Sequence, residues 1–262
     1  MFRLFSQLAQ DSEWKVGKVI WIVGHSGPET ADDSRTHFGI FSPGVTRLFP
    51  KGQILNLHPW EYNEVPVVLG KALSLPVPLI ALHLTRPPVE VPDREQLGIP
   101  SHFAAARGAY VIRDYASRSP RAGAIIVQGT SAVAGTLKCL DVIRERDINV
   151  KIVCAISWEL FVRQPSAYQR EVLSPADRLN SMVISTQAGV TMGDWVFCEE
   201  SERYSIFADW DDRWRTGGTL DEVLDEARLS PEWILQAIER FAVESRERIS
   251  RLSAAITTSV GG

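Results

Sequence analysis

The 262-residue chain is 45% hydrophobic and 23% charged, with a formal net charge of −4, a globular composition long enough for two modest α/β units. That balance, without any block of lysine or arginine, gives no electrostatic basis for nucleic acid, and no run of roughly 18 apolar residues provides a membrane span. The first ten residues lack the basic start and long apolar core of a secretory signal, so the expected location is cytoplasmic.

Apolar residues at Phe2, Leu4, Phe5, Leu8 and Ala9 recur at helical spacing and predict a short helix over 2–14, closed by Gly17. The run 19–23 reads as a buried strand. The stretch 21–37, WIVGHSGPETADDSRTH, then gathers His25, Asp32, Asp33, Arg35 and His37 in one loop. It lies at the carboxyl end of the strand, where open α/β sheets bind ligands. Imidazoles, carboxylates and a guanidinium on one loop suit a polar, anionic small molecule; an ordinary solvated loop with incidental histidines is the other reading.

Residues 39–49 read as an irregular turn leading into a short helix. A strand at 54–57 is stopped by His58-Pro59, and a helix follows over 61–73, with Val65, Val68, Leu69 and Leu73 on one face and Pro66 in its first turns. The apolar strand 77–84 delivers Thr85 and Arg86. Strand, helix, strand in that order predicts a parallel sheet. Residues 87–107, rich in proline and charge, form an extended connection, a linker or a strap across a surface. A further strand is predicted at 108–114. The segment 116–123, with its Ser-Arg-Ser-Pro-Arg centre, marks the boundary that divides the chain into units 1–116 and 117–262.

The second unit opens with a strand at 124–127 and a Gly129-Thr130-Ser131 turn with a potential N-cap. A helix over 132–146, a strand over 150–155 and a helical stretch over 157–173, broken near Pro165, come next. Strands follow at 181–186 and 204–208, and helices at 219–227 and 233–252, the last entered through Ser230-Pro231-Glu232. Trp210 and Trp214, in DWDDRW, are expected to be buried, with a contact surface as the alternative. Cys139, Cys154 and Cys198 lie far apart without metal-ligand or CxxC spacing, so reduced thiols are expected and no metal site.

Three segments together resemble the transketolase family of thiamine diphosphate enzymes. The opening loop is similar to the family segment THDSIGxGEDGPTH without a gap: His25 matches the first histidine, Asp32 and Asp33 the acidic pair, and His37 the last histidine. LHLTR, residues 82–86, resembles the family's LxLSR at a strand end. Residues 149–173, NVKIVCAISWELFVRQPSAYQREVL, look like the family's carboxyl-terminal domain, with Ser-Trp-Glu-Leu-Phe followed by Gln-x-x-x-Tyr, and Thr186-Gln187-Ala188-Gly189 resembles its Glu-Ala-Gly step.

The resemblance implies two three-layer α/β units with mainly parallel sheets: an incomplete pyrimidine-binding domain over 1–116, then a transketolase C-terminal-like domain over 117–262. It further implies that His25 and Arg86 hold the phosphate of a sugar phosphate and that Asp33 hydrogen-bonds a donor hydroxyl. His37 is placed beside the reacting carbon of the cofactor, where it steers protons. An arginine fork suits phosphate and a neighbouring histidine adds a donor, while a surface salt bridge of Arg86 with Glu90 or Asp93 is the plain alternative.

The sequence departs from the family at Ser34-Arg35, which replaces a Gly-Pro pair; either the loss of glycine changes the path of the loop or Arg35 adds a positive group for an unusual acceptor substrate, and both readings stand at this point. No GDG followed by a run ending in asparagine occurs in the 262 residues, so thiamine diphosphate and its divalent cation, Mg or Ca, are expected to be bound mainly by a partner: an amino-terminal transketolase-like chain carrying the diphosphate-binding domain. A longer parent chain is the other source. The expected activity is transfer of a two-carbon ketol unit between sugar phosphates by a split transketolase, assembled as a dimer or heterotetramer. A noncatalytic assembly chain and a subunit of another thiamine diphosphate enzyme, such as deoxyxylulose phosphate synthase, are the alternatives.

Overall fold

The computed structural model describes residues 1–12, 17–40, 42–116 and 119–260, and two sheets organise them. In the first unit, α1 (Phe2–Asp11) leads to β1 (Val19–Val23), and α2 (Ser42–Arg47), β2 (Ile54–Leu57), α3 (Glu64–Leu73) and β3 (Leu79–His83) follow. Residues 13 and 14, the tail of the helix expected over 2–14, lie outside the described residues. The three strands run parallel in the order β1-β3-β2, as strand, helix, strand requires. Leu55, Leu57, Ile80 and Leu82 face Val68 and Ala72 of α3, while Ile54, Leu79 and Ala81 face Phe2 and Phe5 of α1. Alternation along the strands therefore produces two apolar faces, each with its own helix. β1 is the edge of this sheet, and its Ile20 and Ile22 are exposed although they pair in register with the buried Ile80 and Leu82.

The second unit carries β4 (Ala109–Arg113), β5 (Gly123–Gln128), α4 (Thr130–Lys138), α5 (Leu140–Glu145), β6 (Val150–Ala155), α6 (Trp158–Phe161), α7 (Ser166–Val172), α8 (Pro175–Leu179) and β7 (Ser181–Ser185). It ends with α9 (Glu199–Tyr204), β8 (Ile206–Phe207), α10 (Leu220–Glu226), α11 (Pro231–Val243) and α12 (Ser245–Val260). Its five strands are ordered β4-β6-β5-β7-β8 and are parallel except for β4. Ile125, Val127, Ile152 and Ile184 face α4 and α11, and Ala124, Ile126, Val153 and Val183 face Phe161 and Trp195. Helices on both faces make the three layers expected for this unit.

Several elements depart from expectation. The boundary placed at 116–123, of which 117 and 118 lie outside the described residues, falls one strand late for the sheet: β4 pairs antiparallel with β6, so residues 109–113 belong to the second sheet. The helix over 132–146 is two helices meeting at Cys139, whose thiol bonds the Gly135 and Pro231 carbonyls. The strand over 204–208 is reduced to Ile206–Phe207, because Tyr204 closes α9 and its hydroxyl bonds Glu244 at 2.6 Å. Trp210 and Trp214 are not buried: Arg228 lies 3.3 Å over the Trp210 ring, and Trp214 sets its ring against Phe38 on the opening loop. All three cysteines are free, and burial pushes the Cys139 thiol up to about 11.

The segment 87–107 is a strap closed by a 3-10 helix, His102–Arg107, and pinned by one buried arginine. Arg94 donates to Glu61 and Glu64 at 2.8 Å each and to the Pro100 carbonyl at 2.9 Å. Tyr110 of β4 donates to Glu64 at 2.7 Å and accepts from the Trp60 indole at 2.8 Å. Glu61 and Glu64 also accept the backbone N–H groups of Asn63 and Trp60. These bonds bend the chain, and α3 starts at Glu64 rather than at Glu61. Removing one partner from a buried charge network leaves the others uncompensated. Arg94→Met, which retains apolar bulk, is expected to lower the unfolding free energy by about 3–5 kcal/mol in urea denaturation followed by tryptophan fluorescence. A loss within error of zero would show that the strap is held by something else.

Candidate functional site

Parallel pairing of β1 with β3 sets Val23 opposite His83, and the ladder runs on past both strands through Leu84 N–H to the Val23 carbonyl (2.9 Å) and Ser26 N–H to the Leu84 carbonyl (3.0 Å). His25 and Arg86 therefore leave the same sheet edge side by side. The loop that follows β1 is closed at its neck by reciprocal backbone bonds between Gly27 and Gly39, 3.2 Å each. Gly27 sits at φ +109°, and a Cβ on Gly39 would lie 1.9 Å from the His25 carbonyl oxygen, so the neck needs glycine on both sides. Inside the neck the buried Thr30 hydroxyl bonds the carbonyls of Gly27, at 3.0 Å, and His37. Ser34 caps the second of two short 3-10 turns by accepting from Thr36 N–H at 3.3 Å.

This closure brings four of the sequence-predicted residues together. Asp33 Oδ2 accepts from His37 Nδ1 at 2.7 Å and from Arg86 Nη1 at 2.5 Å. Arg86 Nη1 also lies 3.1 Å from His25 Nε2, and the two imidazole rings are 4.9 Å apart. The His37 bond and then the Arg86 guanidinium hold the Asp33 carboxyl below the ordinary aspartate range, so it is an acceptor and His37 Nδ1 carries the proton. The 3.4 Å approach of Arg86 Nη1 to that nitrogen is then a contact between two donors. His37 Nε2 is left as the nitrogen free to exchange a proton with a ligand. All four side chains are partly exposed. Arg86 pairs with Asp33 rather than with Glu90 or Asp93. Arg35 stands apart: it is exposed and makes no hydrogen bond or ion pair among the described residues.

Beneath the cluster is a second layer that sequence reasoning did not single out. His83 Nδ1 lies 3.2 Å from Ser26 Oγ and its Nε2 lies 3.3 Å from Asn56 Oδ1, and Asn56 donates to Glu159 at 2.8 Å. His58 stacks on His83 at 4.2 Å. Burial, with Arg47 nearby, pushes His58 down to about 3, and burial lowers His83 as well. Both are neutral supports. A histidine inside the apolar run LIALH was the one signal available for this layer. Among the described residues no group of three His, Cys, Asp or Glu side chains comes together to hold a metal ion, and no helix is long and apolar enough to cross a membrane. The donors present suit a phosphate more than a metal-bound diphosphate.

The chain is similar to known proteins over much of its length. Residues 108–207 match the family model "Transketolase-like TK C-terminal domain". The transketolase of Aquifex aeolicus (strain VF5) is 28% identical over 158 residues, covering 60% of this chain and 22% of the relative. A solved transketolase from Leishmania mexicana superposes with a TM-score of 0.69 at 20% identity, covering 91% of this chain and 32% of the other. A structure described as "Split gene transketolase, inactive beta4 tetramer" superposes with a TM-score of 0.54 at 14% identity, covering 86% of this chain and 66% of that one. The chain spans less than a quarter of the length of the Aquifex relative.

The Asp33 contacts carry a pH signature. A carboxyl whose folded value is depressed adds stability above its unfolded value and loses it as pH falls through the folded one. Carboxyl NMR is expected to place Asp33 below the ordinary value of about 3.9, and His37→Ala is expected to move it upward more than Arg86→Ala does. An Asp33 midpoint at the ordinary value would mean that the cluster does not form in solution.

Proposed function

The chain belongs to the transketolase family as a carboxyl-terminal portion, and on that premise we propose that it forms part of a transketolase that transfers a two-carbon ketol unit between sugar phosphates, its active site completed by a partner polypeptide. The observation that carries the proposal is the meeting of His25, Asp33, His37 and Arg86 at one sheet edge. The exposed apolar edge of β1 supports the need for a further chain, as does the likeness to a protein described as a split gene transketolase. The pairing is read as a dimer or heterotetramer.

Family membership implies thiamine diphosphate and a divalent cation, held mainly by the partner, and the cofactor supplies the electron sink for a carbanion-type transfer. This chain's residues bind, orient and move protons. Arg86 and His25 take the phosphate: a guanidinium offers parallel donors to phosphate oxygens, and charge-assisted bonds of this kind are about twice as strong as neutral ones. Phosphate competes for the guanidinium that Asp33 holds, which leaves the carboxylate to accept a hydroxyl of the same substrate. His37, oriented through Nδ1 by Asp33, presents Nε2 for proton transfer at substrate hydroxyls. Arg35, exposed and apart from the cluster, is given no part in holding the phosphate.

Co-purification with a chain carrying a diphosphate-binding domain, followed by cofactor-binding and ketol-transfer assays, tests the reading. In the active complex His25→Ala and Arg86→Ala are each expected to raise KM for the sugar phosphate about 10- to 100-fold, the range of one or two charge-assisted bonds. His37→Ala is expected to lower kcat by about 10²- to 10⁴-fold, the usual contribution of a positioned proton-transfer group. Cofactor binding with no partner chain, or full activity in His37→Ala, would sink the proposal. An assembly that forms but carries no activity would instead favour the noncatalytic reading, which the altered Ser34-Arg35 pair also suits.

A further inference from the structure

The loop that carries Asp33 and His37 is anchored from below by a residue of its own. Glu29 is 1% exposed, and its Oε1 accepts the Ser131 N–H at 3.0 Å, in the first turn of the nine-residue helix α4. Its Oε2 is buried without a hydrogen-bond partner. The next residue, Thr30, is fully buried and ties the Gly27 and His37 carbonyls together. Ala31 is also fully buried, where the turn meets α10 of the second unit. Gly217 lies against the backbone of Ala31 and Arg35. The loop thus springs from the first sheet and is seated on the second unit. In register with THDSIGxGEDGPTH, Glu29 falls on a glycine, so this anchor is not part of the segment the loop otherwise resembles.

A buried carboxyl with one unpaired oxygen costs stability by itself. The helix N-terminus offsets part of that cost, because its first N–H groups lack intrahelical partners and favour an acceptor. Burial pushes the Glu29 carboxyl above its usual range, while the Ser131 bond pulls it down. The neutral form is therefore favoured relative to an exposed glutamate. A neutral acceptor of the same shape is then a fair replacement, whereas a truncated side chain is not.

We infer that Glu29 is the positioning residue of this loop: seated on the N-terminus of α4, it fixes the turn 28–32 to the second unit and so holds Asp33 and His37 against His25 and Arg86. The inference rests on the reading of that cluster as a phosphate site. It gives the second unit an indirect part in substrate binding, with Glu29 the side chain that crosses from the loop to α4.

The test uses the full chain and inorganic phosphate as the probe, read through the imidazole NMR signals of His25 and His37, with Arg86→Ala as the control. Wild type is expected to shift the His25 signal on phosphate addition, and Arg86→Ala is expected to abolish the shift. If wild type shows no shift, or if Arg86→Ala keeps it, the phosphate-site reading fails and with it this inference. Given an Arg86-dependent shift, Glu29→Ala is expected to weaken phosphate binding at least fivefold and to move the His37 signal in the free protein. Glu29→Gln, which keeps the acceptor for Ser131, is expected to bind within twofold of wild type. Ser131→Pro removes the donor at a helix position where proline is tolerated, and it replaces Glu29→Ala if that variant does not fold. A folded Glu29→Ala or Ser131→Pro that binds phosphate as wild type does, or a Glu29→Gln as weak as Glu29→Ala, overturns the role assigned to Glu29 while leaving the phosphate site standing.

Discussion

The candidate site depends on the parallel register of β1 with β3. Two parallel strands deliver their carboxyl ends to the same edge, and the pairing of Val23 with His83 makes the next residues of both chains neighbours. His25 and Arg86, 61 residues apart in sequence, come within 3.1 Å for that reason. A shift of one residue along either strand would turn the side chains that follow to the opposite face. The buried His83, bonded to Ser26 on one side and Asn56 on the other, fixes the same register through side chains.

The second unit closes this arrangement from two directions. The carboxyl end of β2 abuts the carboxyl end of β6, where His58 N–H donates to the Ile156 carbonyl at 2.8 Å and Glu159 accepts both the side chain and the backbone N–H of Asn56. On the other side, the strap from β3 to β4 is pinned by Arg94, Glu61, Glu64 and Tyr110. One apolar core, with Leu55 and Ile80 of the first sheet and Ile125 and Ile152 of the second, runs between these ties. The sheets meet end to end, so the loops above their carboxyl ends occupy shared ground.

Most strands were legible in the sequence because strands buried on both faces read as short apolar runs, and because glycine and proline punctuate them; the run 19–23, expected to be buried, is instead an edge strand with Ile20 and Ile22 exposed. The four residues that meet, His25, Asp33, His37 and Arg86, were named through the family resemblance, while Arg35, named with them, stands apart. The bonds within the cluster were not legible, since they depend on register. β4 was placed as a strand, but AYVIR reads the same whichever sheet it joins, and its antiparallel pairing is set by the strap that precedes it. Glu29 and Arg94 look like surface charges in sequence. Their burial depends on partners more than twenty residues away, at Ser131 for one and at Glu61 and Glu64 for the other.

Two of the arginine–carboxylate clusters, at Arg94 and at Arg86, differ sharply in burial. Arg94 and its two glutamates are almost wholly out of water. Such a network is costly to break at any one member, and it cannot readily exchange a partner for a ligand. Arg86 and Asp33 have the same chemistry, and each is more than 40% exposed. An exposed pair is screened by solvent and contributes little to stability, so on the proposed reading an incoming anion would displace it at small cost and gain the charge-assisted bonds of the guanidinium. Asp33 holds Arg86 and His37 in place through one carboxylate oxygen, so the donors at this edge are oriented by the protein itself.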